Sequence, residues 1–354
     1  MSILKPRRKT RQVMIGDVAV GGDAPISVQS MTNTKSEDVE ATVAQIKSLE
    51  QVGCEIVRVA VPGKAAVAAL PDIISRASIP VVADIHFDYR LGLGAVEAGV
   101  HALRINPGNI GARERVVELV AACRERGIPI RIGVNSGSLE EDILERDGHP
   151  TAAGIVESAS HQVELLESLG FEDIILSLKS SDVGMTVEAN RAMAEKCDYP
   201  LHLGITEAGT VLTGSVRSSV GLAVLLAEGI GDTIRVSLSG PVEEEVRVGR
   251  EVLKSLGLRH GGVTVIACPT CGRCQIDVRA IAEEIEGKTG HIRKSLVVAV
   301  MGCAVNGPGE AREADVGIAG GAAEVLLFAA GEVLRALPPA QAAEELLCRI
   351  NELD

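Results

Sequence analysis

Aromatic residues are nearly missing from this chain: among 354 residues there are two Tyr, three Phe and no Trp. Single-stranded nucleic acid is gripped by stacking bases on such rings, so that mode of binding is excluded. A basic excess is missing too. The formal net charge is −13, and a polyanion or an anionic membrane needs a broad cationic face that this balance does not supply. No run of eighteen apolar residues occurs, and the N-terminal MSILKPRRKTRQV leads into MIGDVAVGG instead of a long apolar stretch with a cleavage site. The expectation is a soluble, cytoplasmic protein with no nucleic-acid or membrane partner. Nor is there a disulfide framework. The eight cysteines stand at 54, 123, 197, 268, 271, 274, 303 and 348, and a chain of this length buries an ample core without cross-links. In a reducing compartment the clustered thiols favour metal over disulfide. Finally, GIAGG at 317 lacks dinucleotide-binding spacing and no G-x-G-x-x-G follows a strand, so no nicotinamide cofactor is expected.

What is present is an alternation of short β-branched runs with helix-period segments. Eight strand candidates begin at 26 (ISVQSMT), 56 (IVRVAVP), 79 (IPVVADI), 102 (ALRINPG), 128 (IPIRIGVN), 173 (DIILSLKS), 201 (LHLGITEA) and 232 (DTIRVSLS). Each is followed by a helical pattern, and eight βα units in about 260 residues predict a (β/α)8 TIM barrel of class α/β. An open doubly wound sheet is the runner-up, though it usually has fewer strands. The barrel is assigned to residues 1–258 and a small α+β domain to 259–354, the break falling at LRHGG.

Alternate residues of a strand share one face, and here one parity is polar: Arg58; Arg104 and Asn106; Arg131, Gly133 and Asn135; Ser177 and Lys179; Arg235, Ser237 and Ser239. A barrel interior is ordinarily packed with branched apolar side chains, so cations near the C-terminal ends of five strands point to a binding mouth. The strands offer few matching carboxylates, and burying several cations is expensive unless an anion completes the site. A diphosphate suits arginine forks. Other polar residues at strand ends are Asp84 and His86, His202, Thr206 and Glu207, and Gln29 and Asn33. Among cations the Glu207 carboxylate stays ionised and is placed to orient a hydroxyl or move a proton.

The second domain opens with VTVIA, then CPTCGRC, then QIDVRAIAEEIEG; a later strand, SLVVAVM, runs into GCAVNGPGEAREADVGIAGG. Spacing alone suggests Cys268, Cys271, Cys274 and Cys303, as a four-thiolate zinc site or an iron–sulfur site. Helical periodicity questions Cys274: with Val278, Ile281 and Ile285 it forms an apolar stripe, which predicts a buried packing role. Glu310, in the same loop as Cys303, is then the nearest remaining ligand candidate. The competing reading is a phosphate-binding barrel with a structural zinc knob and no redox chemistry.

VQSMTNT, VRVAVP, LRINPGN, IRIGVNSGSL, LSLKSSD, LGITEAG, GIGDTIRVSLS, CPTCGR and VMGCAVNGPGEA together resemble the bacterial 4-hydroxy-3-methylbut-2-enyl diphosphate synthases of the non-mevalonate isoprenoid pathway, in order and over nearly the whole chain. The resemblance implies reductive ring opening and dehydroxylation of a cyclic diphosphate through a [4Fe–4S] cluster, with electrons from ferredoxin or flavodoxin. It implies Cys268, Cys271, Cys303 and Glu310 as ligands, Cys274 as a bystander, and Glu207 and Glu310 as catalytic. Arg58, Arg104, Arg131, Asn135, Lys179 and Glu207 are implied substrate contacts, and His86, Asn106, His202, Thr206, Arg235 and Ser237 join them from the strand survey. The large extra domain of plant-type members is absent. A last expectation concerns assembly. The eighth helix, about 243 to 257, runs antiparallel to its strand and ends about 22 Å below the mouth. LRHGG is too short to climb back. A head-to-tail homodimer, which the resemblance also implies, lets each metal domain serve its partner's mouth.

Overall fold

The computed structural model describes residues 3–106, 113–303, 313–321 and 323–354. By its contacts the chain divides into two compact units, Met1–Arg259 and His260–Asp354.

In the first unit eight parallel strands form one sheet: β3 Ser27–Met31, β4 Ile56–Ala60, β5 Val81–Asp84, β6 Ala102–Ile105, β7 Ile130–Asn135, β8 Ile174–Lys179, β9 His202–Leu203 and β10 Thr233–Ile234, in the order β8-β7-β6-β5-β4-β3-β10-β9. The sheet closes where Leu176 bridges Leu201 and the Leu176 N–H donates to Pro200 O at 2.9 Å. All eight predicted strands are present. The last two are shorter than predicted, and just beyond them the backbones approach closely at Gly204, where a Cβ would collide with Arg235 O.

Between the strands run helices, several of which begin at polar caps. Asp38 accepts from Ala41 N–H at 3.0 Å, and Asp182 from Met185 N–H at 2.7 Å, so Val39–Gln51 and Val183–Lys196 each start with one of their free N–H groups satisfied by a carboxylate. Their apolar faces and the outward parity of the strands make the main core, with Ile46, Leu70, Leu103, Ile132 and Leu178 fully buried.

Two features escaped the sequence reading. An antiparallel hairpin, β1 Gln12–Ile15 with β2 Val18–Gly21, precedes the barrel, and its Val13, Ile15 and Val20 pack on Ile56, Val82, Ala102 and Ile175 at the N-terminal ends of the strands. An apolar plug thus fills the bottom of the barrel, leaving the polar parity to the top. A short extra helix, Glu141–Asp147, also stands between β7 and the helix Ala152–Ser168 that leads to β8.

The second unit holds a five-stranded mixed sheet in sequence order: β11 Val263–Ala267, β12 Leu296–Met301 and β13 Val316–Gly320 are parallel, and β14 Val325–Ala329 and β15 Glu332–Leu337 continue antiparallel. Helices Val278–Lys288 and Ala342–Leu353 cover it over Ile285, Val298, Ile318, Leu346 and Ile350. The antiparallel strands and final helix were not anticipated. The helix after the cysteine turn starts later than expected: the Asp277 carboxylate caps it by accepting from Ala280 N–H at 3.0 Å. Cys274 therefore lies in the turn before the helix rather than on its stripe, although it still packs on the same apolar cluster.

Candidate active site

The polar parity converges at the C-terminal ends of the strands. Arg58, Asp84, His86, Arg104, Asn135, Ser177, Lys179, Thr206, Arg235 and Ser237 line a cavity of about 170 Å³. Two glycines make room for the long side chains: a Cβ at Gly133 would lie 2.5 Å from Arg104 Nε, and one at Gly204 would lie 2.8 Å from Lys179 Nζ.

The five cations differ in what balances them. Arg58 and Arg104 share Asp84: Arg104 Nη1 donates to Asp84 Oδ1 at 3.1 Å, and Arg58 Nε lies 3.7 Å from Oδ2. Arg104 Nη1 also meets His86 Nε2 at 2.9 Å. Burial pushes the Asp84 carboxyl upward, but Arg58, His86 and Arg104 outweigh it and hold the group well below the usual carboxylate range. Burial draws Arg58 down to about 10 despite Asp84. Arg235 is held by Glu245, from helix Val242–Ser255, through Nε at 3.2 Å and Nη2 at 2.9 Å. The strands themselves supply only Asp84 to these pairs among the described residues; the second carboxylate, Glu245, arrives from a helix.

Arg131 and Lys179 have no carboxylate within ion-pair distance among the described residues. Arg131, one inward step deeper than Gly133, donates from Nη1 to the neutral Gln29 Oε1 at 2.6 Å. Burial, then Arg58 and Arg104, draw its pKa well down. Lys179 is pulled down by burial and by Arg131, Arg58, Arg235 and Arg104. Arginine keeps its proton regardless, so the buried Arg131 holds a positive charge that no carboxylate within ion-pair distance balances among the described residues.

His202 sits fully buried on β9, and neither ring nitrogen has a hydrogen-bond partner among the described residues. Burial, followed by Lys179 and Arg131, holds it neutral. Of the remaining predicted residues, Asn106 accepts from Gln162 Nε2 at 2.9 Å and does not line the cavity. Asn33 pairs reciprocally with Gln45 and does not line the cavity. Glu207 is exposed beside Thr206, with φ of 52°. A non-glycine residue in that left-handed region is held against a local cost, as happens most often at functional sites. Glu245 was missed; its signal is an acid on the Val242, Val246, Gly249 face of an otherwise apolar stripe.

In the second unit, β11 and β12 pair in parallel with Ala267 opposite Val300, so the turns bearing Cys268 and Cys303 leave the sheet side by side. Cys268 N–H donates to Val300 O and Gly302 N–H donates to Cys268 Sγ, both at 3.2 Å. Gly302 is required there: a Cβ would collide with Cys274 Sγ. The Cys274 thiol donates to Ile276 O at 3.1 Å, while Cys271 is exposed and Cys303 half-buried. Glu310 lies outside the described residues, and among those described no three potential ligands converge as for a bound ion. Soft thiol donors on adjacent strand ends, with a backbone N–H already directed at one sulfur, are the donor chemistry of a thiolate-held metal centre, zinc or iron–sulfur.

Comparison with known proteins decides the family. The model of the GcpE TIM-barrel domain matches residues 10–250, and that of the GcpE protein C-terminal domain matches 264–352. The chain belongs to the GcpE family. It is 57% identical over 347 residues to the 4-hydroxy-3-methylbut-2-en-1-yl diphosphate synthase (flavodoxin) of Geobacter sulfurreducens, covering 98% of each chain. To the enzyme of the same name from Clostridium perfringens it is 55% identical over 341 residues, covering 96% of this chain and 98% of that one. Solved structures share the GcpE barrel as a fold alone. Yersinia pestis dihydropteroate synthase superposes with a TM-score of 0.50 at 14% identity, over 70% of this chain and 97% of that one. The 3-dehydroquinate dehydratase of Geobacillus kaustophilus gives 0.50 at 12% identity, over 72% and 99%.

Proposed function

We propose that the chain converts 2-C-methyl-D-erythritol 2,4-cyclodiphosphate to 4-hydroxy-3-methylbut-2-enyl diphosphate. The reaction opens the ring, takes up two electrons and two protons, and releases one oxygen as water. Full-length identity to synthases of that name supports the reading. The observation that carries it is the mouth itself, where Arg58, Arg104, Lys179 and Arg235 line the cavity and Arg131 lies buried outside its lining, with Asp84 and Glu245 as the carboxylates paired to these cations among the described residues.

In this reading Arg131 and Lys179 supply the uncompensated charge that draws in the diphosphate, and Arg58, Arg104 and Arg235 hold its oxygens through forks kept in place by carboxylates. Asn135, Thr206 and Ser237 add neutral hydrogen bonds that fix the carbon skeleton's orientation. His86, bonded to Arg104, sits at the cavity wall. His202 is kept neutral and adds no charge to the site. Glu207, at the rim, handles the proton that accompanies reduction.

Cys268, Cys271, Cys303 and Glu310 would hold a [4Fe–4S] cluster, which when bound supplies electrons one at a time. A flavodoxin, as in the relatives' name, or a ferredoxin would replenish them. The test is iron and sulfide analysis with an absorption spectrum on anaerobically purified protein. A colourless, zinc-loaded chain would replace the redox reading with a structural one.

We further infer a head-to-tail homodimer. Arg259, the last residue of the first unit, donates to Ile26 O at 3.3 Å and to Glu55 Oε1 at 2.7 Å, both just ahead of strand starts. The chain therefore leaves the barrel at the end opposite the mouth, which favours service of a partner's mouth by the thiol-bearing domain.

A further inference from the structure

Glu245 belongs to helix Val242–Ser255, outside the strand pattern, yet it is only 2% exposed. Its two neighbours point elsewhere: Glu243 accepts from Ser48 Oγ and Glu244 from Arg247 Nη1. Glu245 alone turns inward with Val242 and Val246. Each of its oxygens has two donors. Oε1 accepts from Arg235 Nη2 at 2.9 Å and from Leu238 N–H at 3.0 Å; Oε2 accepts from Arg235 Nε at 3.2 Å and from Ser30 Oγ at 3.0 Å.

This pattern fixes one edge of the Arg235 guanidinium and leaves the other free to act. The free edge carries Nη1, which donates to Ser237 Oγ at 2.6 Å, and both Arg235 and Ser237 line the cavity. The bond from Leu238 N–H pins the residue after Ser237 to the same carboxylate. One buried acid thus sets the angle of a cationic fork and the position of the adjacent hydroxyl.

We propose that Glu245 is a positioning residue for diphosphate binding, acting through Arg235 and Ser237 without touching the ligand. This rests on the diphosphate reading of the mouth.

The experiment is a double-mutant cycle on the full chain, titrating inorganic pyrophosphate by calorimetry beside a urea midpoint for each variant. Arg235→Ala is expected to weaken pyrophosphate by about tenfold or more, the worth of a charge-assisted contact. Glu245→Gln keeps the shape but loses the charge that aligns the fork, and should weaken binding several-fold. In the Arg235→Ala background Glu245→Gln should cost nothing further, because coupled residues are not additive. Additive losses, or unchanged pyrophosphate affinity with a lowered midpoint, would overturn the proposal. Should Glu245→Gln fail to fold, Ser30→Ala loosens the carboxylate while leaving its charge. It should weaken pyrophosphate in the wild-type background and have no effect with Arg235→Ala; loss in both would overturn it equally. Wild-type protein that does not bind pyrophosphate would overturn the diphosphate reading and this inference with it.

Discussion

Lys179→Met separates a binding cation from a structural one. Lys179 is 7% exposed, and no hydrogen bond or carboxylate partner is found for its ammonium among the described residues. Methionine has similar length, so little packing is lost. Removing an uncompensated buried charge should stabilise the ligand-free protein by about 1–4 kcal/mol at pH 7, the range seen when buried ion pairs give way to apolar side chains of similar volume. The gain should depend on pH. The folded-state pKa of Lys179 lies well below its unfolded value of 10.5, so between the two the unfolded chain binds more protons and wild-type stability rises with pH. The variant lacks that rise, and its advantage should shrink as pH climbs toward 10.5. Binding moves the other way. A charge-assisted contact is worth roughly 1.5–3 kcal/mol, so pyrophosphate affinity should fall by about 10- to 150-fold. Urea midpoints at several pH values and a calorimetric titration measure both quantities. A less stable variant with unchanged affinity would refute the reasoning, because Lys179 would then be a structural partner.

Asp84→Asn leaves Arg58 and Arg104 without their shared carboxylate and should cost about 3–5 kcal/mol at pH 7. Because the folded-state pKa of Asp84 lies below its unfolded 3.8, the wild-type advantage should narrow as pH falls below that value, as urea midpoints would show. Cys268→Ala, Cys271→Ala and Cys303→Ala should each lose the intact cluster by iron and sulfide analysis. Cys274→Ala should retain near-full iron, since its thiol is engaged with Ile276 O and the apolar cluster. Co-refolding Arg131→Ala with Cys268→Ala subunits should restore about a quarter of wild-type activity if two-fold pairing shares the site; an inactive mixture containing proven mixed dimers would reject the shared site.

Much of the barrel was legible because its strands carry two signals at once. β-branched runs mark where strands lie, and the polar parity of Arg58, Arg104, Arg131, Lys179 and Arg235 marks the inward face. What could not be read depends on contacts distant in sequence. The plug residues Val13, Ile15 and Val20 look like any short apolar alternation until the barrel floor is there to receive them. Glu245 is one of three consecutive acids, and only the buried stripe around Val242 and Val246 distinguishes it. The spacing of Cys274 to Val278 and Ile285 continues the apolar stripe and predicts a helical position, but the Asp277 cap starts the helix four residues later. The site's chemistry therefore reads more easily than the supports behind it: periodicity exposes a cation on a strand, whereas its counter-ion can come from any element that packs there.

The most direct test is anaerobic turnover. Protein reconstituted with iron and sulfide, supplied with 2-C-methyl-D-erythritol 2,4-cyclodiphosphate and a chemically reduced flavodoxin or ferredoxin, should form 4-hydroxy-3-methylbut-2-enyl diphosphate with two electrons consumed per product. Arg131→Ala, loaded with the same iron, should not. A fully loaded wild-type protein that binds the cyclic diphosphate but leaves it unchanged with both reduced donors would contradict the account.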